Sequence, residues 1–184
     1  MKFMGRILLL AGAVCLNTMG RPVAQEGAAA SALAQLRGLA GQWEGSFEWT
    51  GARTATGKMN ATYSETGNGS SVVETLTVEG VPSMTSVYHL DGADLRMTHF
   101  CAAQNQPRLK ARQIDIAKGI LDFEFVDATN LRSPDAPHVY GLEMRLLDVD
   151  HVTLTFLFGG GGKRSKEFID LKRVAHKAST QLDR

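Results

Sequence analysis

The chain has 184 residues, with 20 basic against 19 acidic side chains and 43% hydrophobic residues. That length suits one domain. The near-neutral balance leaves no basic field to hold nucleic acid or an anionic membrane surface, and the apolar content is too high for a disordered chain. Nineteen glycines fall mostly between short apolar runs, where a β protein needs tight turns.

The first six residues carry Lys2 and Arg6, and Ile7 to Leu16 is an apolar run followed by small residues up to Ala24. This is the layout of a secretory signal peptide. The run is too short to cross a bilayer as a helix, which takes about 20 apolar residues. The expected division is therefore a signal over 1–24, one domain over 25–175 and a polar tail over 176–184. The expected location is periplasmic or secreted, with no stable membrane span left after cleavage. Cys15 falls inside the signal, which leaves Cys101 alone in the mature chain. No internal disulfide can form, so stability must come from the core.

Residues 25–32 read as a bland leader. Leu33, Leu36, Leu39 and Ala40 then recur at helical spacing and Gly41 ends the pattern, which predicts a short helix over 31–40. From Trp43 the period changes to two. Trp43, Gly45, Phe47 and Trp49 alternate with polar residues over 43–49, a strand with one wet face. Further strands are expected over 57–65 and 71–79, joined at Gly67-Asn68-Gly69, then over 84–90 and 94–102 around Asp91-Gly92, a strong hairpin signal. Residues 108–117 and 120–127 flank Lys118-Gly119. The longest loop covers 128–137. Residues 139–147 and 151–158 flank Asp148-Val149-Asp150, a four-glycine connection follows over Gly159–Gly162, and 166–174 is the last strand. About ten strands in consecutive hairpins, with no crossover helix, predict an all-β, antiparallel up-and-down barrel with a short N-terminal helix. Closure removes the two sticky edges that an open sheet would leave. A barrel of this size can hold one small ligand.

Alternation puts Leu95, Met97, His99 and Cys101 on one face of a strand, with Tyr88 on the hairpin partner. If that face is the interior, Met97, Phe123, Phe125, Met144 and Phe156 line an apolar pocket with a polar handle at His99, Cys101 and Tyr88. Such a lining suits a small hydrophobic or amphipathic molecule. A cysteine near a histidine also has the chemistry of an activated thiolate. Two residues on one strand, however, cannot easily aim both groups at one atom, and a buried Cys with a hydrogen-bonded core His is the simpler expectation. No metal-ligand spacing emerges, with neither His-X-His nor Cys-X-X-Cys. The run Gly159–Gly162 before Lys163 lacks phosphate-loop spacing and leads into no helix.

Leu39-Ala40-Gly41-Gln42-Trp43-Glu44-Gly45, at the junction of helix and first strand, resembles the Gly-X-Trp signature of the lipocalin and calycin barrels. In those families the tryptophan closes the barrel floor, and an arginine of the last strand packs over its ring as a cation–π pair. The resemblance therefore implies barrel closure by Trp43 and Arg173. The helix-first, ten-strand order looks most like the fatty-acid-binding-protein and nitrobindin branches. The stretch around His99-Phe100-Cys101-Ala102-Ala103-Gln104-Asn105-Gln106-Pro107 is similar to one in uncharacterised exported bacterial proteins. The nitrobindin branch binds haem through histidine, for which His99 is the matching residue here, although the rest of that branch's pattern is missing and no cofactor is the leading expectation. The function expected is an exported protein that binds a small molecule inside the barrel. The alternatives are an enzyme on the same barrel with His99 as acid or base, and an envelope structural protein with a filled core.

Overall fold

The computed structural model describes residues 23–175, with side chains from residue 27. The expected signal up to residue 22 and the polar tail lie outside the described residues. Helix α1 runs over Val23–Arg37, starting earlier and ending sooner than the predicted 31–40. The stretch read as a bland leader is part of it, because Ala28-Ala29-Ala30 is strongly helix-forming. Its inward stripe is Ala29, Ala32, Leu33 and Leu36, all buried and spaced three and four apart. Gly38 follows the last turn, and Leu39 is buried beyond the helix end rather than on it, while Ala40 is exposed.

Ten strands follow: β1 (Gly41–Gly51), β2 (Ala55–Thr66), β3 (Ser71–Val78), β4 (Val81–Asp91), β5 (Asp94–Phe100), β6 (Gln106–Asp115), β7 (Ile120–Thr129), β8 (His138–Asp148), β9 (His151–Gly160) and β10 (Lys163–Arg173). Each pairs antiparallel with the next, and β1 pairs with β10 to close the barrel. The ten-strand, up-and-down, helix-led barrel expected from the alternation is the observed fold. Between β6 and β7 the chain makes a single 3-10 turn at Ile116–Lys118, capped by the Asp115 carboxylate. Gly159–Gly160 are not a flexible connection. They belong to β9, and only Gly161-Gly162 make the turn. The reason is close packing, since a Cβ on Gly160 would sit 2.6 Å from the Pro137 Cα of the loop folded over it.

The two barrel ends differ. At one end α1 packs against β2 to β6 and Trp43 fills the floor. The Trp43 indole N–H donates to the Leu39 carbonyl at 2.8 Å, and its ring meets the edge of Tyr63 at 6.0 Å. Arg173, the register partner of Trp43, lays its guanidinium 4.4 Å from the Trp43 ring centroid. The same guanidinium donates to the carbonyls of Ala40 at 2.8 Å, Gly38 at 2.9 Å and Val149 at 2.9 Å. One side chain thereby ties the helix exit to the β8–β9 turn across the floor. The opposite end, formed by the β1–β2, β3–β4, β5–β6, β7–β8 and β9–β10 connections, carries no helix among the described residues and is called the mouth below.

Closure also depends on Gly45. Its register partner is Leu171, and a Cβ built on Gly45 would lie 1.8 Å from the Asp170 carbonyl oxygen. Backbone cannot move aside as a flexible side chain can. Gly45→Ala is therefore expected to destabilise the barrel by about 3 kcal/mol or more. Urea denaturation measures this directly, and a midpoint equal to that of the unsubstituted protein would contradict the close approach of β1 and β10.

Candidate functional site

A polar row crosses the apolar interior, and the strand register builds it. Tyr63 on β2 is opposite Glu74 on β3, Glu74 is opposite Ser86 on β4, and Ser86 is opposite His99 on β5. Register partners point to the same face of a sheet, so four side chains on four neighbouring strands converge inside the barrel. Tyr88, two residues beyond Ser86 on β4, joins from the same face. All five are buried, with Glu74, Ser86 and His99 showing no exposed area.

Glu74 is the hub. Its Oε2 accepts the phenol O–H groups of Tyr63 at 2.8 Å and Tyr88 at 3.0 Å. Its Oε1 lies 3.3 Å from Ser86 Oγ, and Ser86 Oγ lies 3.0 Å from His99 Nδ1. Burial pushes the Glu74 carboxyl up from 4.5 to about 7, against the downward pull of the three hydroxyl donors. Burial and the neighbouring Glu74 carboxylate push both phenols well above their ordinary value. Burial lowers His99 from 6.5 to about 4, so its imidazole is neutral at physiological pH. Its Nε2 is buried and has no hydrogen-bond partner. Its ring leans on Phe156, centroid to centroid 4.9 Å.

The residues expected from alternation divide into two groups. Met97, Tyr88, His99, Phe123, Met144 and Phe156 are all buried in the interior, with the Tyr88 and Phe123 rings 5.9 Å apart. Phe125 is only half-buried and packs on His138, 4.8 Å away, in a surface cleft beside the 130–137 loop. Cys101 lies just past the end of β5, where its Sγ accepts the Ala103 N–H at 3.5 Å. Burial pushes its thiol up, the opposite of what an activated nucleophile needs.

The mouth holds another buried carboxyl. Glu167 on β10 is 3% exposed and is the register partner of both Trp49 and Phe156. Burial raises it from 4.5 to about 7, moderated by the Arg53 charge and a hydrogen bond from Trp49, and its Oε2 has no partner. Arg53 stacks 4.3 Å above the Trp49 ring. Beside this group a cleft of about 160 Å³ is bordered by Ala52, Arg53, Phe158 and Ser165. The clefts on the outer faces and ends of the barrel are not lined by His99. A haem does not fit these residues. His99 is fully buried with Phe156 across its ring at 4.9 Å, so a porphyrin plane would have to displace Phe156.

Glu74, Tyr63, Ser86 and Glu167 are not among the residues expected from the sequence. The signal for them is parity. Glu74 falls in step with Val72 and Leu76, and Glu167 with Ile169 and Leu171, so each is a charged residue on an otherwise apolar face. A carboxyl placed there is costly unless neutral or well partnered.

The raised Glu74 carboxyl has a defined effect on stability. Its folded value of about 7 lies above its ordinary 4.5, so its contribution is complete below about pH 4.5 and is lost as pH rises through 7. Glu167 acts in the same direction. His99, lowered to about 4, acts in the opposite one and loses its contribution as pH falls toward 4. Glu74→Gln isolates the first effect. Between about pH 4.5 and above 7 its stability is expected to rise relative to the unsubstituted protein by about 3 kcal/mol. Parallel curves in denaturant titrations at several pH values would show that Glu74 does not hold its proton in this way.

No protein-family model matches the chain, and no curated protein matches it in sequence. Among solved structures, the barrel is similar to Rv2717c from M. tuberculosis, with a TM-score of 0.51 and 16% identity over 78% of this chain and 98% of that one. It is also similar to a protein of unknown function from the DUF3598 family of Nostoc punctiforme PCC 73102, with a TM-score of 0.53 and 14% identity over 76% of this chain. That match spans 49% of the Nostoc chain, about half its length. At such identities the likeness is one of fold, that of a closed antiparallel β-barrel.

Proposed function

We propose that the protein is an exported binding protein that holds a small amphipathic molecule inside the barrel, with the molecule's polar end at His99. The observation that carries this reading is the His99 Nε2, a fully buried nitrogen without a hydrogen-bond partner. A buried polar group left unmade costs about 1–3 kcal/mol, and a ligand that bonds to it recovers that cost. The interior around it is apolar and adaptable. Met59, Met84, Met97 and Met144 are all buried in the core, and methionine re-packs around a guest more readily than branched side chains do. Entry is through the mouth, past Arg53 and Phe158, because the other end is sealed by Trp43, Arg173 and α1. Export rests on the N-terminal pattern of Lys2, Arg6 and the apolar run up to Leu16.

Medium-chain alcohols, phenols and carboxylic acids form a suitable panel. At least one is expected to raise the melting temperature of the purified protein, and His99→Leu, which keeps bulk but removes the nitrogen, should weaken binding about tenfold, equivalent to one buried hydrogen bond. No shift with any member, together with a bare-chain mass in native mass spectrometry of the protein as purified, would reject the reading. Protein recovered outside the cytoplasm is expected to begin near residue 25, and recovery only from the cytoplasm with Met1 retained would reject export.

A further inference from the structure

Ser86 has a single hydroxyl proton, and its polar neighbours are Glu74 Oε1 at 3.3 Å, His99 Nδ1 at 3.0 Å and the Tyr88 hydroxyl. It can donate to only one of them at a time. With Glu74 ionised, Ser86 donates to the carboxylate and accepts from His99 Nδ1–H, which leaves Nε2 with a bare lone pair. With Glu74 protonated the order reverses. Oε2 already accepts two phenols, so the added proton sits on Oε1 and is donated to Ser86. Ser86 then donates to Nδ1, and the imidazole hydrogen is on Nε2.

We propose that Glu74, Ser86 and His99 form a proton relay in which the protonation of the buried carboxyl sets which ring nitrogen of His99 carries the hydrogen. In the uptake direction an N–H bond forms at Nε2, the Nδ1–H bond breaks as its proton passes to Ser86, and the Ser86 proton passes to Glu74 Oε1. One proton enters, the net charge of the three groups goes from minus one to zero, and the imidazole is neutral before and after.

The groups facing the relay are few. Tyr63 comes from β2, Tyr88 from β4, and Phe156 from β9 covers the imidazole. The other interior carboxyl, Glu167 on β10, is the register neighbour of Phe156. Helix α1, which packs against β3 and β4, turns Ala29, Ala32, Leu33 and Leu36 inward, and its charged side chain among the described residues is Arg37 at the last turn. The consequence at the site is a change of sign. Nε2 accepts a hydrogen bond while Glu74 is ionised and donates one once Glu74 is protonated. This consequence rests on the binding reading; the relay itself does not.

Nitrogen-15 NMR of the ligand-free, histidine-labelled protein tests the relay, because the ring nitrogens report which one carries hydrogen. The Nε2–H form of His99 is expected to dominate at about pH 5.5 and the Nδ1–H form at about pH 8.5, with the crossover near the Glu74 value of about 7. Glu74→Gln should hold the Nε2–H form at both pH values, since its amide donates to Ser86 throughout. Ser86→Ala should abolish the crossover. A single tautomer at both pH values in the unsubstituted protein, or a crossover that survives in Ser86→Ala, would overturn the proposal. A second measurement separates the relay from the ligand. A methyl ketone can only accept a hydrogen bond, so it should bind at least about tenfold more weakly at the higher pH, whereas the alcohol of equal length should bind alike at both. A tautomer crossover with neither compound bound would leave the relay standing and remove the binding reading.

Discussion

The closure of β1 on β10 is the constraint from which the rest follows. An open ten-strand sheet would wet both faces near its edges, and Glu74 would be an ordinary surface carboxylate. Once Trp43 to Gly51 pair with Arg173 to Ser165, the inner face has no route to solvent except at the ends. The Arg173 guanidinium over Trp43 seals one of them, and it does so by satisfying carbonyls of two separate connections. Desolvation of the interior is thus a product of topology, and the shifted proton affinities of Glu74, Glu167 and His99 are its chemical expression.

The polar row is nearly complete. Glu74 receives donors on both oxygens, so its burial is offset over most of its surface. Within the row the atom left without a partner is His99 Nε2, and at the mouth one oxygen of Glu167 is in the same position. A network meant only to hold strands in register could end in an apolar residue instead of an imidazole. Ending on a buried nitrogen without a partner, on a ring that leans on Phe156, gives the row a free valence.

The fold was legible because its evidence is long. Period-two alternation over some ten segments, with Asp91-Gly92 and Gly67-Asn68-Gly69 between them, admits few arrangements. The helix was misplaced because alanines supply helix propensity without apolar periodicity, so Ala28 to Ala30 looked featureless. Gly159 and Gly160 read as part of a turn because close packing of Pro137 on a strand leaves no mark on the strand itself. Of the site, the apolar members and His99 were visible by parity. Glu74 was hidden in a strand whose Val and Thr content draws the eye first, and its significance lies in partners 11 and 12 residues away along the chain, which only register reveals. Cys101 shares the parity of His99 and packs against the core, as a small buried cysteine should, while its Sγ accepts the Ala103 N–H just past the end of β5.

The separations along the chain also order the barrel in time. Tyr63, Glu74, Ser86 and His99 are joined by contacts spanning 11, 12 and 13 residues, each a single hairpin. The floor contacts of Arg173 to Ala40 and Gly38 span 133 and 135 residues. Loop-closure entropy favours the short steps early and the long one late. The polar row can therefore assemble in a hydrated meander, with water still solvating the carboxylate, and it is dehydrated when the two ends of the chain meet. The protein meets its hardest desolvation in the step that completes the fold, after every donor that compensates it is already in place.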